Sequence, residues 1–247
     1  MSAPILQARG LHIEFGGVKA ANGVDLTLHA GELASIIGPN GSGKTTFLNL
    51  CTGYVRASAG SVQFDGVELT RLPPRRIARL GIARAFQLPQ LFTEQTVEQN
   101  LLLAIAARRG FWRLSPLSTP EARDEAAALL RLFHLQGHSK REIGSLPEGV
   151  RKLIDIAVAL ALKPRLLLMD EPTSGVSSQE KFAIMDMLIP VLRDQGITAL
   201  LVEHDMELVE RYMDRVVFWN AGQVAAVGTP ADILQREDVL RDVVGAM

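Results

Sequence analysis

The chain has 247 residues, 47% of them hydrophobic and 21% charged, with a formal net charge of −1. Such a length buries one large domain, or a domain with a lobe, and the composition is that of an ordinary globular protein. The near-neutral balance excludes a chain built to coat nucleic acid, and one cysteine, Cys51, excludes an internal disulfide.

Met1–Arg9 has no continuous apolar core, so no signal peptide is expected. Ile5 to Phe15 and Val24 to Leu28 read as strands, and Leu33–Ile37 as a short buried one. Gly38-Pro39-Asn40-Gly41-Ser42-Gly43-Lys44-Thr45 then fits G-x-x-x-x-G-K-[ST] at every fixed position, and Thr46–Leu50 opens a helix carrying an apolar Cys51. Gly60–Phe64 followed by Asp65-Gly66 reads as a strand ending in a hairpin turn, Arg75–Leu80 as a short helix after Pro73-Pro74, and Ile82–Phe86 as a strand. Val97–Ala107 is an apolar helix, Arg108–Pro120 an irregular loop, Glu121–Leu135 a helix and Gly149–Leu162 another. From Leu166 strand and helix alternate: Leu166–Met169, Ser178–Gln195, Thr198–Glu203 and Met206–Tyr212. A hairpin, Arg215–Asn220 with Gln223–Gly228, and short helices near Ala231–Gln235 and Asp238–Val244 close the chain. The layout predicts an α/β nucleotide-binding core, residues 1–86 and 163–247, interrupted by a helical block over 87–162. The longest apolar stretches, Leu101–Ala107 and Ala157–Leu162, are far short of a membrane span, so a membrane role would run through a partner.

The glycines of the loop let backbone N–H groups converge on an anion, and the helix behind them aims its positive end at the same point. Lys44 would reach the β- and γ-phosphates of a nucleotide, and Thr45 would hold Mg²⁺ through its hydroxyl. Leu166–Met169 runs into Asp170 and Glu171. In open α/β sheets ligands bind at that carboxyl end of the strands. Asp170 suits Mg²⁺ through water, and Glu171 suits taking a proton from an attacking water. His204 ends another apolar strand and fits either a structural place or contact with the γ-phosphate or water. Gln87 ends a third, where its amide reaches Mg²⁺ or the water. Phe15 fits either core packing or a stack on adenine. Eight arginines lie between Arg71 and Arg113 against Glu94 and Glu98, which suits either solvated helix faces or a basic surface near an anionic leaflet or a membrane partner.

Together these motifs resemble the ATP-binding subunit of an ABC transporter over nearly the whole chain. Gly38–Thr45 matches Walker A, Leu166–Asp170 Walker B, Glu171 the catalytic glutamate, Gln87 the Q-loop, His204 the switch histidine and Phe15 the A-loop aromatic. Gly16-Gly17, Gly81–Gln87, Thr96-Val97 and Val202–Met206 resemble more finely the branched-chain amino-acid (LivG-like) type, with urea, amide and lipopolysaccharide cassettes as relatives. The resemblance implies a RecA-like P-loop core with an antiparallel β subdomain and a helical subdomain. It implies ATP and Mg²⁺, a peripheral place on the cytoplasmic face of the cell membrane, transmembrane permease subunits, a second ATPase subunit and, indirectly, a periplasmic or lipoprotein substrate-binding protein; no nucleic acid is implied. The rival class, an ABC-type ATPase acting on DNA or ribosomes, usually carries a coiled-coil insertion or two fused cassettes, and neither is present. A partner that binds ATP with little turnover is the other alternative. Two stretches depart from the family: the signature Leu-Ser-Gly-Gly-Gln stands as Leu146-Pro147-Glu148-Gly149-Val150, and Ser177 replaces the D-loop Asp or Asn. Both fall on the half of a composite site offered in trans, where Gly149 would meet the partner's ATP.

Overall fold

Two sheets carry the chain, in a computed structural model that describes residues 3–109 and 118–244. The first is antiparallel, in the order β2-β1-β4-β5, from β1 (Pro4–Phe15), β2 (Val18–His29), β4 (Ala59–Phe64) and β5 (Val67–Glu68). The second has six strands in the order β10-β9-β3-β8-β7-β6. Its members are β3 (Leu33–Ile37), β6 (Ile82–Ala85), β7 (Leu166–Asp170), β8 (Thr198–Val202), β9 (Arg215–Asn220) and β10 (Gln223–Gly228). All its neighbours pair parallel except the β9–β10 hairpin at the edge.

Every residue of β3, β7 and β8 is buried, as parallel strands covered on both faces require. Successive side chains feed two cores. Leu167, Met169, Ala199 and Leu201 face the layer of α3 (Val97–Arg109), α4 (Pro120–Leu132), α5 (Glu148–Ala161) and α6 (Ser178–Asp194). Leu166, Leu168, Leu200 and Val202 face Phe47 and Leu48 of α1 (Lys44–Cys51) and the antiparallel sheet. Among the described residues between β6 and β7 the regular elements are α3, α4, α5 and two short 3₁₀ turns, and α3 packs on both α4 and α5. The remaining helices are α2 (Pro74–Arg79), α7 (Met206–Tyr212), α8 (Pro230–Leu234) and α9 (Glu237–Val239), which runs into a π-helical turn at Leu240–Val244.

β2 begins at Val18 rather than at the expected Val24. Gly16 and Gly17 both have positive φ, 55° and 88°, and form a two-residue turn that pairs Phe15 with Val18. Such a turn matches the twist of the flanking strands and demands residues free to take positive φ. Cys51 is fully buried as expected, and burial pushes its thiol up to about 12. The loop expected over Arg108–Pro120 falls mostly outside the described residues, as does Arg113. Among the described residues no helix is long and apolar enough to cross a membrane.

Candidate nucleotide site

The loop between β3 and α1 threads a gap that admits no side chain at two of its glycines. A Cβ on Gly38 (φ 150°) would lie 1.9 Å from the Trp219 carbonyl oxygen, and one on Gly43 (φ 111°) 2.0 Å from that of Ala20. β9 and β2 therefore press on the loop from two sides. The Trp219 indole and the Gly222 N–H both donate to the Ser42 carbonyl, at 2.8 and 2.9 Å. The Ser42 hydroxyl is buried and without a partner among the described residues. Lys44 is 5% exposed, and its ammonium donates to the carbonyls of Gly38 (2.7 Å) and Pro39 (2.9 Å). Burial lowers its pKa, while Glu171 and Asp170 oppose that shift. A loop with an unspent hydroxyl, a helix N-terminus and an ammonium resting on its own backbone fits a polyphosphate.

Phe15 is half exposed, and with Val18, Asn40, Gly41, Thr46 and Glu171 it lines a groove of about 300 Å³ over this loop. The core alternative for Phe15 is thereby excluded. A larger cavity, about 880 Å³, lies at the other end of the strands, between α2 and the ends of α3 and α5, and is rimmed by Arg75, Arg79, Arg108, Lys163 and Arg165. Its size does not make it the site of the chemistry, because the motif residues are absent from its lining.

Three parallel strands end beside the loop. At the end of β7 the Thr45 hydroxyl donates to Asp170 Oδ1 at 3.2 Å. Those two oxygens, one hydroxyl and one carboxylate, are of the kind that could hold a Mg²⁺ ion. Glu171 follows in a left-handed conformation, φ 49°, uncommon for a residue with a side chain. Its Oε2 accepts from Gln87 Nε2 at 2.8 Å, and its Oε1 is 3.1 Å from His204 Nε2. Gln87 follows β6 and His204 follows β8, so residues separated by 84 and 33 positions from Glu171 meet at one carboxylate. Gly149 does not join them. It sits in the first turn of α5, where an added Cβ would meet Val176 of its own chain at 3.1 Å.

Four further residues have no place in the site by sequence alone, Arg84 being read there only as one of eight arginines in a basic stretch. Arg84, in β6, donates to Asp170 Oδ2 (2.8 Å) and to Asn49 Oδ1 of α1 (2.5 Å), with its guanidinium over the Phe86 ring. Arg84 therefore belongs to the interior and contributes nothing to a free basic surface, whereas Arg108, half-buried at the cavity rim, is held by Glu125 and the Ala161 carbonyl. Lys152 and Asp155 are buried on α5, and Glu203 is buried before His204. The available signal was a charge inside an apolar pattern, at positions 152 and 155 of an otherwise apolar helix face.

A phosphate loop at the end of a central parallel strand, with acidic and amide groups gathered from the neighbouring strand ends, defines a P-loop nucleotide-binding protein. Residues 21–174 match the ABC transporter family. The chain is 37% identical over 253 residues to LivG of Escherichia coli, a high-affinity branched-chain amino acid transport ATP-binding protein, covering 99% of each. Its fold is similar to the ADP conformation of MJ1267, an ATP-binding cassette of an ABC transporter, with a TM-score of 0.88 and 31% identity over 99% of this chain and 100% of that one. It is also similar to MJ0796, a cassette seen as a dimer in a post-hydrolysis state with ADP and phosphate, with a TM-score of 0.80 and 25% identity over 92% and 99%. The chain belongs to the ABC transporter family and is one of its nucleotide-binding ATPases.

Proposed function

We propose that this chain is the ATP-hydrolysing subunit of an importer for branched-chain amino acids or related small metabolites. The observation that carries the mechanism is the Glu171 carboxylate, set between Gln87 and His204 and next to the phosphate loop. In this reading backbone N–H groups of Gly38–Thr46, the Ser42 hydroxyl and Lys44 bind the phosphates. Lys44 exchanges the Gly38 and Pro39 carbonyls for phosphate oxygens. Thr45 and Asp170, with Gln87 in reach, would hold a Mg²⁺ ion, which would supply positive charge beside the phosphates. Phe15 stacks on the base. Glu171 takes the proton of the attacking water at one of its carboxylate oxygens, and His204 orients that carboxylate.

Residues 1–86 and 163–247 form the nucleotide-binding part and 87–162 the part that meets the membrane subunits. Leu88 and Phe92, 73% and 63% exposed beside Gln87, support docking there, with Leu91 packed beneath. Phe15 and Val18 stand exposed at the groove over the phosphate loop, which suits a nucleotide covered from the other side by a second ATPase subunit through its Gly149. The assembly would sit on the cytoplasmic face of the membrane and receive substrate from a binding protein outside.

Glu171→Gln preserves the shape and removes the basicity. It should retain ATP binding while turnover falls by roughly 10²- to 10⁴-fold. Steady-state hydrolysis at the unaltered rate would remove Glu171 from the role.

A further inference from the structure

The buried flank of α5 bears two charges that do not pair with each other. Lys152 and Asp155 lie three residues apart, on one face, 3% and 5% exposed. Lys152 Nζ donates to the Glu171 carbonyl oxygen at 3.2 Å and to the Ser174 hydroxyl at 2.7 Å. Asp155 accepts the Phe86 N–H on Oδ2 at 2.9 Å and the Gln90 N–H on Oδ1 at 3.3 Å. Those two amides bracket Gln87. Apolar side chains in the same places would avoid the desolvation of two charges. What the charges secure is the backbone on either side of one hydrogen bond, Gln87 Nε2 to Glu171 Oε2. The chain of contacts closes on itself, from the Glu171 carbonyl through Lys152, α5, Asp155 and the backbone around Gln87 to the Glu171 carboxylate. Glu171 needs such support, because its left-handed backbone is disfavoured for a residue with a Cβ.

We infer that Lys152 and Asp155 are positioning residues for hydrolysis, through which α5 sets the Gln87–Glu171 pair. The inference rests on the reading of Glu171 as the base. It has a consequence for the two sites of a dimer. In the proposed dimer the first turn of α5, with Gly149, would face the partner's nucleotide, while the flank of the same helix holds the backbone around this chain's own Gln87 and Glu171. A displacement of α5 at one site would then act on Gln87 and Glu171 at the other.

The test uses the full-length chain. Turnover per bound nucleotide, KM for ATP, affinity for a non-hydrolysable ATP analogue and melting temperature are measured for Lys152→Met, Lys152→Gln, Asp155→Ala, Asp155→Asn and Gln87→Ala, with Glu171→Gln as the floor. Lys152→Met and Asp155→Ala should each lower kcat by roughly 10- to 100-fold with KM within about threefold, the pattern of a misplaced group rather than a lost binding contact. Lys152→Gln, which keeps a donor, should recover part of the loss. Asp155→Ala added to Gln87→Ala should lower kcat no further than Gln87→Ala alone, because both act through one contact. A fall in melting temperature with kcat unchanged would mean a purely structural flank, and additive losses in the double variant would show that Asp155 does not act through Gln87. Either result overturns the inference. Should a truncation abolish binding of the analogue, Lys152→Gln and Asp155→Asn are read in its place, and a kcat unchanged in both overturns the inference. An active Glu171→Gln control overturns instead the assignment of the base, so the two failures are separable.

Discussion

Glu203 shows how a single buried carboxylate sets a pH dependence. It is 4% exposed, its Oε1 accepts the Thr173 hydroxyl at 3.0 Å and its Oε2 the His204 N–H at 3.3 Å. Burial raises its pKa from 4.5 to about 7; Asp205 adds to the rise, and the two hydrogen bonds and Lys181 oppose it. Below pH 4.5 the group is neutral in folded and unfolded chains alike. As pH rises between the two values the unfolded chain releases its proton first, so stability falls, and the loss is complete above about 7. By linkage the full loss is on the order of 3 kcal/mol. Glu203→Gln stays neutral, and its amide can donate to Thr173 while its oxygen accepts from His204. The melting temperature of Glu203→Gln relative to the unaltered protein should therefore climb from pH 5 to pH 8. A constant difference across that range would show that Glu203 ionises normally.

Between elements, Arg84 links α1, β6 and β7 by holding Asn49 and Asp170 at once. Its side chain is 6% exposed and that of Asp170 2%, so this is an interior ion pair. Removing one partner from such a pair leaves the other charge buried and unpaired, at a cost of about 3–5 kcal/mol. Arg84→Met should lose stability on that order in urea unfolding, and Arg84→Lys, which keeps charge without the two-pronged reach, should lose less. A loss for Arg84→Met below about 1 kcal/mol, the range of a surface pair, would remove the strut. The D-loop departure also finds its reason between elements. Ser177 is the N-cap of α6 in a reciprocal capping box with Glu180, so a hydroxyl suits the place as a helix start.

For the whole molecule, the proposed dimer would have two unequal sites. The signature stretch lacks the serine hydroxyl that would bond a γ-phosphate, and Pro147 caps α5 with no side-chain hydrogen bond. Glu148 turns onto its own chain, with Oε1 2.9 Å from where a Cβ on Gly175 would stand. The residues proposed for the cis half, Lys44, Thr45, Asp170, Glu171 and His204, are all present. A homodimer should thus hydrolyse ATP poorly, and a second cassette with a serine-bearing signature should raise the rate. One hydrogen bond to a charged group contributes roughly 1.5–3 kcal/mol, about ten- to a hundredfold in rate. Rebuilding the stretch with Pro147→Ser, Glu148→Gly and Val150→Gln should raise homodimer turnover by that order. No gain, with nucleotide-driven dimerisation also unchanged, would show that Gly149 and the helix N-terminus suffice.

The phosphate loop, the strand into it and the helix out of it were legible because their physics is local: glycines for a tight turn, an apolar run, a helix start. Glu171 and Asp170 were legible for the same reason, since an acidic pair at the end of an apolar strand needs no partner to be seen. That Gln87 and His204 would meet Glu171 required the parallel order β6-β7-β8, which the alternation of strands and helices left open and the tertiary structure decided. The partners of Arg84 lie 86 and 35 positions away in the chain, and those of Asp155 69 and 65. In sequence those two residues, and Lys152, are charges in apolar patterns, indistinguishable from solvated ones. Burial gives such a charge a single acceptable arrangement, the one in which its hydrogen bonds are met, and only the packing of α5 and β6 against β7 decides which atoms meet them.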